Sequence, residues 1–434
     1  MSILMKDSGV QWIGDIPENW KVKVLKRVLA EPLKYGANEA AEFENTDHPR
    51  YIRITDFGND GLLKDDTFKS LEPQIAEPYL LNEGDVLFAR SGATVGKTFQ
   101  FKNYKGKACF AGYLIKANPQ NYLISSDFLY YFTKSPAYDT WKESIFTQAT
   151  IQNIGADKYA YLPVVVPSIK IQKRITDFLD KATLQIDDAI KTKEKQLKTL
   201  EALKKSIIHK AVTKGLDDSV EMIDSKIEWI GDIPKSWRVE KLKYIGKSII
   251  GLTYSPNDVT DKENGIHVLR SSNIQNGKMD FGNNVYVDKK IPENLITQKG
   301  DILICSRNGS RKLIGKNILI DESNCNCTFG AFMTIFRSNM NKYLYFIFNS
   351  TLFSHQAGSF MTSTINQLTI NAINNMKVPI PPKDEQKNII DYLTIEVEKI
   401  NTLKENVKKQ IDKLKEYKKS LIYEYVTGKK QIKG

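Results

Sequence analysis

Trp12-Ile13-Gly14-Asp15-Ile16-Pro17-x-x-Trp20 is written again, almost unchanged, as Trp229-Ile230-Gly231-Asp232-Ile233-Pro234-x-x-Trp237, 217 residues further on. Further correspondences follow in the same order. Gly84-Asp85-Val86-Leu87 returns as Gly300-Asp301-Ile302-Leu303, Thr150-Ile151 as Thr364-Ile365, and Gln172 as Gln386. Lys204-Lys205-Ser206-Ile207-Ile208 returns as Lys418-Lys419-Ser420-Leu421-Ile422, by which point the offset has drifted only to 214. Matches in one order at nearly constant offset mark a duplicated module, and the small drift is what loops absorb as insertions and deletions.

Each copy has two parts. The first is mixed: Val86-Leu87-Phe88 and Ile302-Leu303-Ile304 follow Gly-Asp turns and read as strands. Val164-Val165-Val166 stops at Pro167, and Val378 to Ile380 stops at Pro381-Pro382, so each run reads as a last strand, closed by a proline that can open a helix. The second part is that helix. Leu393, Ile400, Val407, Leu414 and Leu421 recur every seven residues, with Val397, Leu403, Ile411 and Tyr417 filling positions three or four away. The first copy keeps the frame with Leu179, Ile186, Lys193, Leu200 and Ile207, and with Ala189, Leu197 and Leu203 between them. No proline or glycine interrupts residues 171–214. A heptad seam packs lengthwise on another helix, and about 43 residues make a rod of roughly 65 Å. Two seams of matching length in one chain pair most simply with each other, antiparallel if a pseudo-two-fold axis relates the copies. Lys193, in mid-seam, is read as snorkelling to solvent. The expected architecture is therefore α+β: a globular domain over 1–167, a central long helix over 168–216, a second globular domain over 217–381, and a C-terminal long helix over 382–434 that pairs with the central one in an antiparallel coiled coil.

Composition bounds the function. The 434 residues are 41% hydrophobic and 26% charged, ordinary for a globular chain. No run reaches the ~18 apolar residues that span a bilayer, and no apolar signal region opens the chain. Cys109, Cys305, Cys325 and Cys327 give no disulfide framework, so a reducing cytoplasm is expected. The net charge is +12, which points to an acidic partner such as nucleic acid. Residues 1–170 are net neutral, 171–216 carry +5, 217–382 carry +3 and 383–434 carry +4. Most of the surplus sits on the helical segments, where solvated lysines explain it as well as phosphate contacts do.

Motifs that look catalytic fail on spacing. Gly92-Ala93-Thr94-Val95-Gly96-Lys97-Thr98 resembles a phosphate-binding loop but has three residues between its glycines where the cradle needs four. The other copy, Gly309 to Gly315-Lys316-Asn317, has five and lacks the Ser/Thr for magnesium. Both read as turns between strands. Asp85 and Asp301 read as turn residues rather than nuclease acids. Cys325-x-Cys327, with His355 the nearest histidine in sequence, lacks the partners of a zinc site. The histidines 48, 209, 267 and 355 share no spacing, and His209 reads as helix surface.

The Trp-Ile-Gly-Asp-Ile-Pro-x-x-Trp opening, the Gly-Asp-(Val/Ile)-Leu element and Pro381-Pro382-x-x-Glu385-Gln386 leading into a coiled coil resemble the specificity subunit of type I restriction–modification enzymes. The resemblance covers nearly the whole chain in the family's order. The first copy departs at its helix start, where Pro167, Ile171 and Gln172 keep only part of the motif. The resemblance implies a non-catalytic subunit with two target-recognition domains, each reading half of a split target in double-stranded DNA. It implies two central helices that set the spacer between the half-sites and dock two adenine methyltransferase subunits, with or without an ATP-dependent restriction/translocase subunit. S-adenosylmethionine, ATP and magnesium would then be bound by partners, and no cofactor by this chain.

Base reading needs donors and acceptors, and phosphates need charge. Three polar clusters, each present in both copies, are the DNA-binding candidates. The first is Arg53 and Thr55 beside Asp56, matched by Arg270, Ser272 and Asn273. The second is Arg90, Ser91, Thr94 and Lys97, matched by Arg307, Asn308, Ser310, Arg311 and Lys312. The third is Gln148, Thr150, Gln152 and Asn153, matched by Thr364, Asn366 and Gln367. Their chemistry differs between copies while the scaffold stays, so different half-sites are expected. The rival readings are a coiled-coil scaffold whose globular ends bind proteins, and a nucleotide-dependent or nuclease enzyme.

Overall fold

The structure is a computed structural model that describes residues 4–58, 61–146, 153–360 and 366–432. Its contacts gather the chain into two compact units, residues 1–194 with 409–434, and residues 195–408. The boundaries read from the sequence set the helices apart as segments of their own. In the structure each globular core instead takes up the nearer part of both helices, because their apolar faces continue into it.

In the first unit the strands that carry the central sheet and its neighbouring pair are β1 (Lys34–Tyr35), β2 (Arg50–Ile52), β3 (Val86–Ala89), β4 (Thr98–Gln100), β5 (Ala108–Phe110) and β6 (Leu114–Ala117). An antiparallel sheet runs β1-β6-β3-β4, and β2 pairs in parallel with β5. All four residues of β3 are buried. Alternate side chains of a strand point to opposite faces. Accordingly Val86 and Phe88 face one cluster, with Phe128, Phe132, Tyr138 and Tyr159, while Leu87 and Ala89 face another, with Phe99, Phe101 and Phe110. This two-sided burial makes the run continuously apolar rather than alternating.

The second unit repeats the plan with β7 (Lys247–Ile250), β8 (Ile266–Leu269), β9 (Ile302–Cys305), β10 (Asn317–Leu319), β11 (Thr328–Phe329) and β12 (Met333–Arg337). Its sheet runs β7-β12-β9-β10, and β8 pairs in parallel with β11. Ile302 and Ile304 face the cluster of Phe336, Tyr343 and Phe348, and Leu303 and Cys305 face that of Leu269, Ile318 and Phe329.

The duplicated opening motif is structural. Gly14 and Gly231 sit at φ +66° and +69°, where a side chain is disfavoured. Ile13, Ile16 and Trp20, and in the second unit Ile230, Ile233 and Trp237, are buried in their cores. The indole Nε1 of Trp237 donates to Glu385 Oε2 at 2.8 Å, so the Glu of the Pro-Pro-x-x-Glu-Gln motif holds the Trp of the opening motif. Ile171 takes the place of Glu385 in the first copy. The last strand of each globular part, Pro163–Val166 or Lys377–Ile380, pairs antiparallel with the segment that follows the opening motif, Lys21–Val24 or Arg238–Lys241.

The long helices span Ile169–Lys214 and Lys383–Val426. Within the first unit, Asp187 accepts from Lys418 Nζ at 2.7 Å, and the rings of Phe178 and Tyr425 lie 4.5 Å apart. Within the second, Lys404 Nζ donates to Glu201, and Lys204 Nζ to Asn401 at 3.1 Å. In each unit residue numbers rise along one helix as they fall along the other, so the helices pair antiparallel. Of the seam, Leu179, Ile186, Leu393, Ile400, Val407 and Leu421 are buried, while Leu200, Ile207 and Leu414 are half-buried. Full burial of one such side chain stabilises by about 1.5–3 kcal/mol. Leu203, Leu403 and Tyr417 do not fill the seam as the spacing implied; they are 46%, 51% and 54% exposed. A straight helix drifts about 20° per heptad from a seven-residue repeat, which turns flanking positions outward. No helix among the described residues is long and apolar enough to cross a membrane.

Candidate nucleic-acid interface

The second and third polar clusters meet in both units. Ser91, just past β3, bridges antiparallel to Asn153, and the Ile154 N–H donates to the Arg90 carbonyl at 2.8 Å. In the second unit Arg307, just past β9, bridges to Gln367. There the Leu368 N–H donates to the Ser306 carbonyl at 2.7 Å, and Asn366 Nδ2 to the Gly309 carbonyl at 3.1 Å. Two segments about 60 residues apart thus form one polar edge at the same place on each sheet. Gln148, Thr150, Gln152 and Thr364 lie outside the described residues.

The turn after this edge explains the failed phosphate-loop spacing. Gly92–Thr94 and Arg311–Leu313 are single short 3-10 turns, each closed by a glycine in the left-handed region, Gly96 at φ +77° and Gly315 at φ +82°. Each leads into a second antiparallel strand, not into the helix that a phosphate cradle opens. Lys97 is exposed and Thr94 half-buried; Arg307, Arg311 and Lys312 are exposed. The Ser310 N–H donates to Asn308 Oδ1 at 2.9 Å.

The first cluster serves its own turn. Asp56 is fully buried and accepts from the Arg53 backbone N–H at 2.7 Å and from its guanidinium at 2.8 Å, while the same guanidinium donates to the Thr67 carbonyl at 2.9 Å. Asn273, also fully buried, accepts from the Arg270 N–H at 2.9 Å, and the Arg270 guanidinium donates to Asn283. Both copies therefore close a short 3-10 turn by a buried Asp or Asn that accepts from the arginine's backbone N–H. Thr55 remains exposed and Ser272 half-buried. In the second unit this turn also braces the polar edge: Asn308 Nδ2 donates to Ser271 Oγ at 3.0 Å, and Lys316 Nζ to the Ser271 and Ile274 carbonyls at 2.7 and 2.6 Å.

Sequence reasoning missed the aromatic residues here. Tyr113 and Phe332 occupy matching turns, between β5 and β6 and between β11 and β12, and are 68% and 57% exposed. Their carbonyls are fixed by the polar edge: the Arg90 N–H donates to Tyr113 O, and the Ser306 and Arg307 N–H groups to Phe332 O, all at 3.0 Å. The Arg90 guanidinium lies 4.9 Å from the ring of Tyr35, and that of Arg307 5.1 Å from the ring of Phe332. A cavity of about 690 Å³ opens beside Phe332, with Tyr254, Arg270, Ser271, Arg307 and Asn308 among its lining. The only sequence signal was the loose match of Ala111-Gly112-Tyr113 to Gly330-Ala331-Phe332.

The remaining candidates have structural roles. Asp85 accepts from the Asn82 N–H at 2.8 Å and from Asn118 at 3.0 Å, and burial pushes its carboxyl above the usual range. Asp301 accepts from the Gln298 N–H at 2.8 Å and pairs with both arms of Arg337. Both are turn residues, as their position after glycine implied. The histidine beside Cys327 is His267, with Nδ1 3.8 Å from the sulfur, rather than His355, the nearest in sequence. His355 stacks on Trp229, and His209 is half-buried with Nδ1 2.8 Å from Thr351 Oγ1, so it is more than helix surface. Among the described residues no group of three His, Cys, Asp or Glu side chains gathers to hold a metal ion.

The family described as type I restriction modification DNA specificity domain matches the chain twice, over residues 17–201 and 234–413. The chain belongs to this family. Each match holds one globular part, with its polar edge, and most of the long helix that follows. Among relatives, the type I restriction enzyme MjaVIII specificity subunit of Methanocaldococcus jannaschii is 25% identical over 82% of this chain and 81% of its own length. The putative MjaX specificity subunit of the same organism is 26% identical over 97% of this chain and 96% of its own. A chain from a solved type I R-M system covers 95% of this chain and 99% of its own at a TM-score of 0.72 and 14% identity, which shows a shared fold.

Proposed function

We propose that the chain is the DNA-recognition subunit of a type I restriction–modification complex, with one globular part reading each half of a split target. One observation carries the reading: the specificity-domain match occurs twice, and each occurrence contains the same polar edge built on the same sheet. Arginine and lysine on the turns suit phosphates and guanine, and asparagine and glutamine suit adenine. The two edges differ in composition, Arg90, Ser91 and Asn153 against Arg307, Asn308, Asn366 and Gln367. The half-sites therefore differ.

The partners in this reading are two adenine methyltransferase subunits, docked along the long helices, and an ATP-dependent restriction/translocase subunit where the system restricts. S-adenosylmethionine, ATP and magnesium are bound by those partners, and the complex acts in the cytoplasm. The long helices set the spacer between half-sites. Methylome sequencing of cells with and without the chain tests the reading. A split, asymmetric methylated motif that disappears with the chain is expected; an unchanged methylome, together with no salt-sensitive DNA binding by the chain and its methyltransferase, would favour a protein-binding scaffold.

A further inference from the structure

Among the described residues, the polar edges put exposed aromatic rings in a place the sequence does not announce. Phe332 is 57% exposed although its backbone is held in place, its carbonyl accepting from Ser306 N, Arg307 N and Ser306 Oγ. A rigid turn that keeps an apolar ring in water forgoes about 25 cal/mol for each Å² left unburied, so the position gains when a partner covers it. What surrounds the ring defines the partner. The Arg307 guanidinium lies over it, Arg270 lines the same cavity, and Arg311 and Lys312 are exposed on the adjoining turn. An apolar ring inside a cationic rim fits a polyanion that also presents apolar surface, which describes the major groove of DNA.

The groove offers three kinds of feature at base edges: acceptors at N7, O6 and O4, amino donors at N6 and N4, and the C5-methyl of thymine. A phenyl ring has neither donor nor acceptor. The methyl is the one feature it can select. We infer that Phe332 reads a thymine in the half-site of the second unit, by contact between its ring and the C5-methyl, with the Arg307 guanidinium stacked on the ring. Tyr113 holds the matching position in the first unit, 68% exposed with its carbonyl bonded to Arg90 N, and its phenol can in addition exchange a hydrogen bond with a base edge. The same place on the scaffold thus reads an apolar feature in one unit and a polar one in the other.

The inference rests on the proposed DNA-reading function, and the experiment separates the two. The full chain is assembled with its methyltransferase, and the wild-type methylated motif is determined. Each thymine of the motif is then replaced by uracil, which removes only the C5-methyl. One substitution, in one half-site, is expected to weaken binding about fourfold, as loss of one buried methyl does. The Phe332→Ala complex should show less than a twofold effect of that uracil and should methylate sites carrying other bases at that position, with the other half-site unchanged. Phe332→Leu should retain most of the thymine preference. No uracil effect anywhere in either half-site, or a Phe332→Ala motif identical to wild type, overturns the assignment while leaving DNA reading intact. Absence of any split motif in the wild type overturns DNA reading itself, and the assignment with it.

Discussion

The side-chain amide of Gln172 donates to the carbonyl of Pro167 at 2.8 Å, and Gln386 repeats the bond to Pro381 at the same distance. The matched glutamines of the two copies thus close the turn between last strand and long helix. Pro167 and Pro381 end their strands, and the first turn of the helix then needs its geometry fixed by something other than backbone pairing.

Gln172 does more than its counterpart. Its amide also donates to the Leu123 carbonyl at 2.8 Å, and its Oε1 accepts from the Ser125 N–H at 2.7 Å, all in a fully buried position. Gln172→Leu strands three backbone groups, one buried and two half-buried, each costing about 1–3 kcal/mol when unsatisfied away from water. We expect Gln172→Leu to destabilise the chain by about 3 kcal/mol or more and Gln386→Leu by about 1 kcal/mol. Urea denaturation midpoints of the two variants measure this; equal losses would mean that the additional bonds of Gln172 contribute nothing.

That example shows which level of the structure the sequence exposes. The duplication and the heptads are legible because they are periodic, and periodicity follows from helix geometry alone. The role of Glu385 is not legible, since it depends on Trp237, 148 residues away, arriving within 2.8 Å. The same limit governs the interface. Arg53 looks like a base reader in sequence, but buried Asp56 and the distant Thr67 turn it inward, while Arg270 is tied to the distant Asn283 and lines the cavity beside Phe332. Tyr113 and Phe332 lie beside apolar strands and carry no polar signature; only the turn that reverses the chain there places them in solvent.

The pairing of the long helices can be tested through Asp187 and Lys418, whose side chains meet at 2.7 Å. Asp187 is 53% exposed, so the pair is screened and a coupling of about 0.2–1 kcal/mol is expected. Asp187→Lys should destabilise, Asp187→Lys with Lys418→Asp should recover most of the loss, and the coupling should shrink in 1 M salt. A double-mutant cycle reads it directly. Zero coupling at low salt would argue that this register is not held in solution.

Arg307, Arg311 and Lys312 are exposed around the polar edge of the second unit. Each phosphate neutralised contributes about 0.9 to the slope of log affinity against log salt. Replacing the three by alanine should lower that slope by up to about 2.7 and weaken binding at 100 mM salt. Titrations of the complex against duplex DNA at four salt concentrations give the slope. An unchanged slope would place the phosphate contacts of this unit elsewhere.

Lys134 supplies a test by pH. Burial, with Lys142 and Lys418 adding to it, pulls its ammonium down to about 8, although Nζ donates to the Thr98 carbonyl at 2.6 Å and lies 4.5 Å from the ring of Tyr130. An unfolded chain holds that proton until about pH 10.4. Between these values the unfolded state binds more protons than the folded one, so this group makes stability rise as pH rises. Below about 8 both states are protonated, and the folded state bears the whole cost of the buried charge. Lys134→Met, which keeps the stem and removes the charge, should therefore stabilise the chain at pH 7, and its advantage should shrink steadily from pH 8 to 10 as wild type sheds the proton. Urea midpoints of both proteins at pH 6.5, 8 and 9.5 provide the comparison, in which titrations common to both cancel. A difference that stays constant across that range would mean that Lys134 keeps its proton in the folded state and that its contacts with Thr98 and Tyr130 compensate for burial.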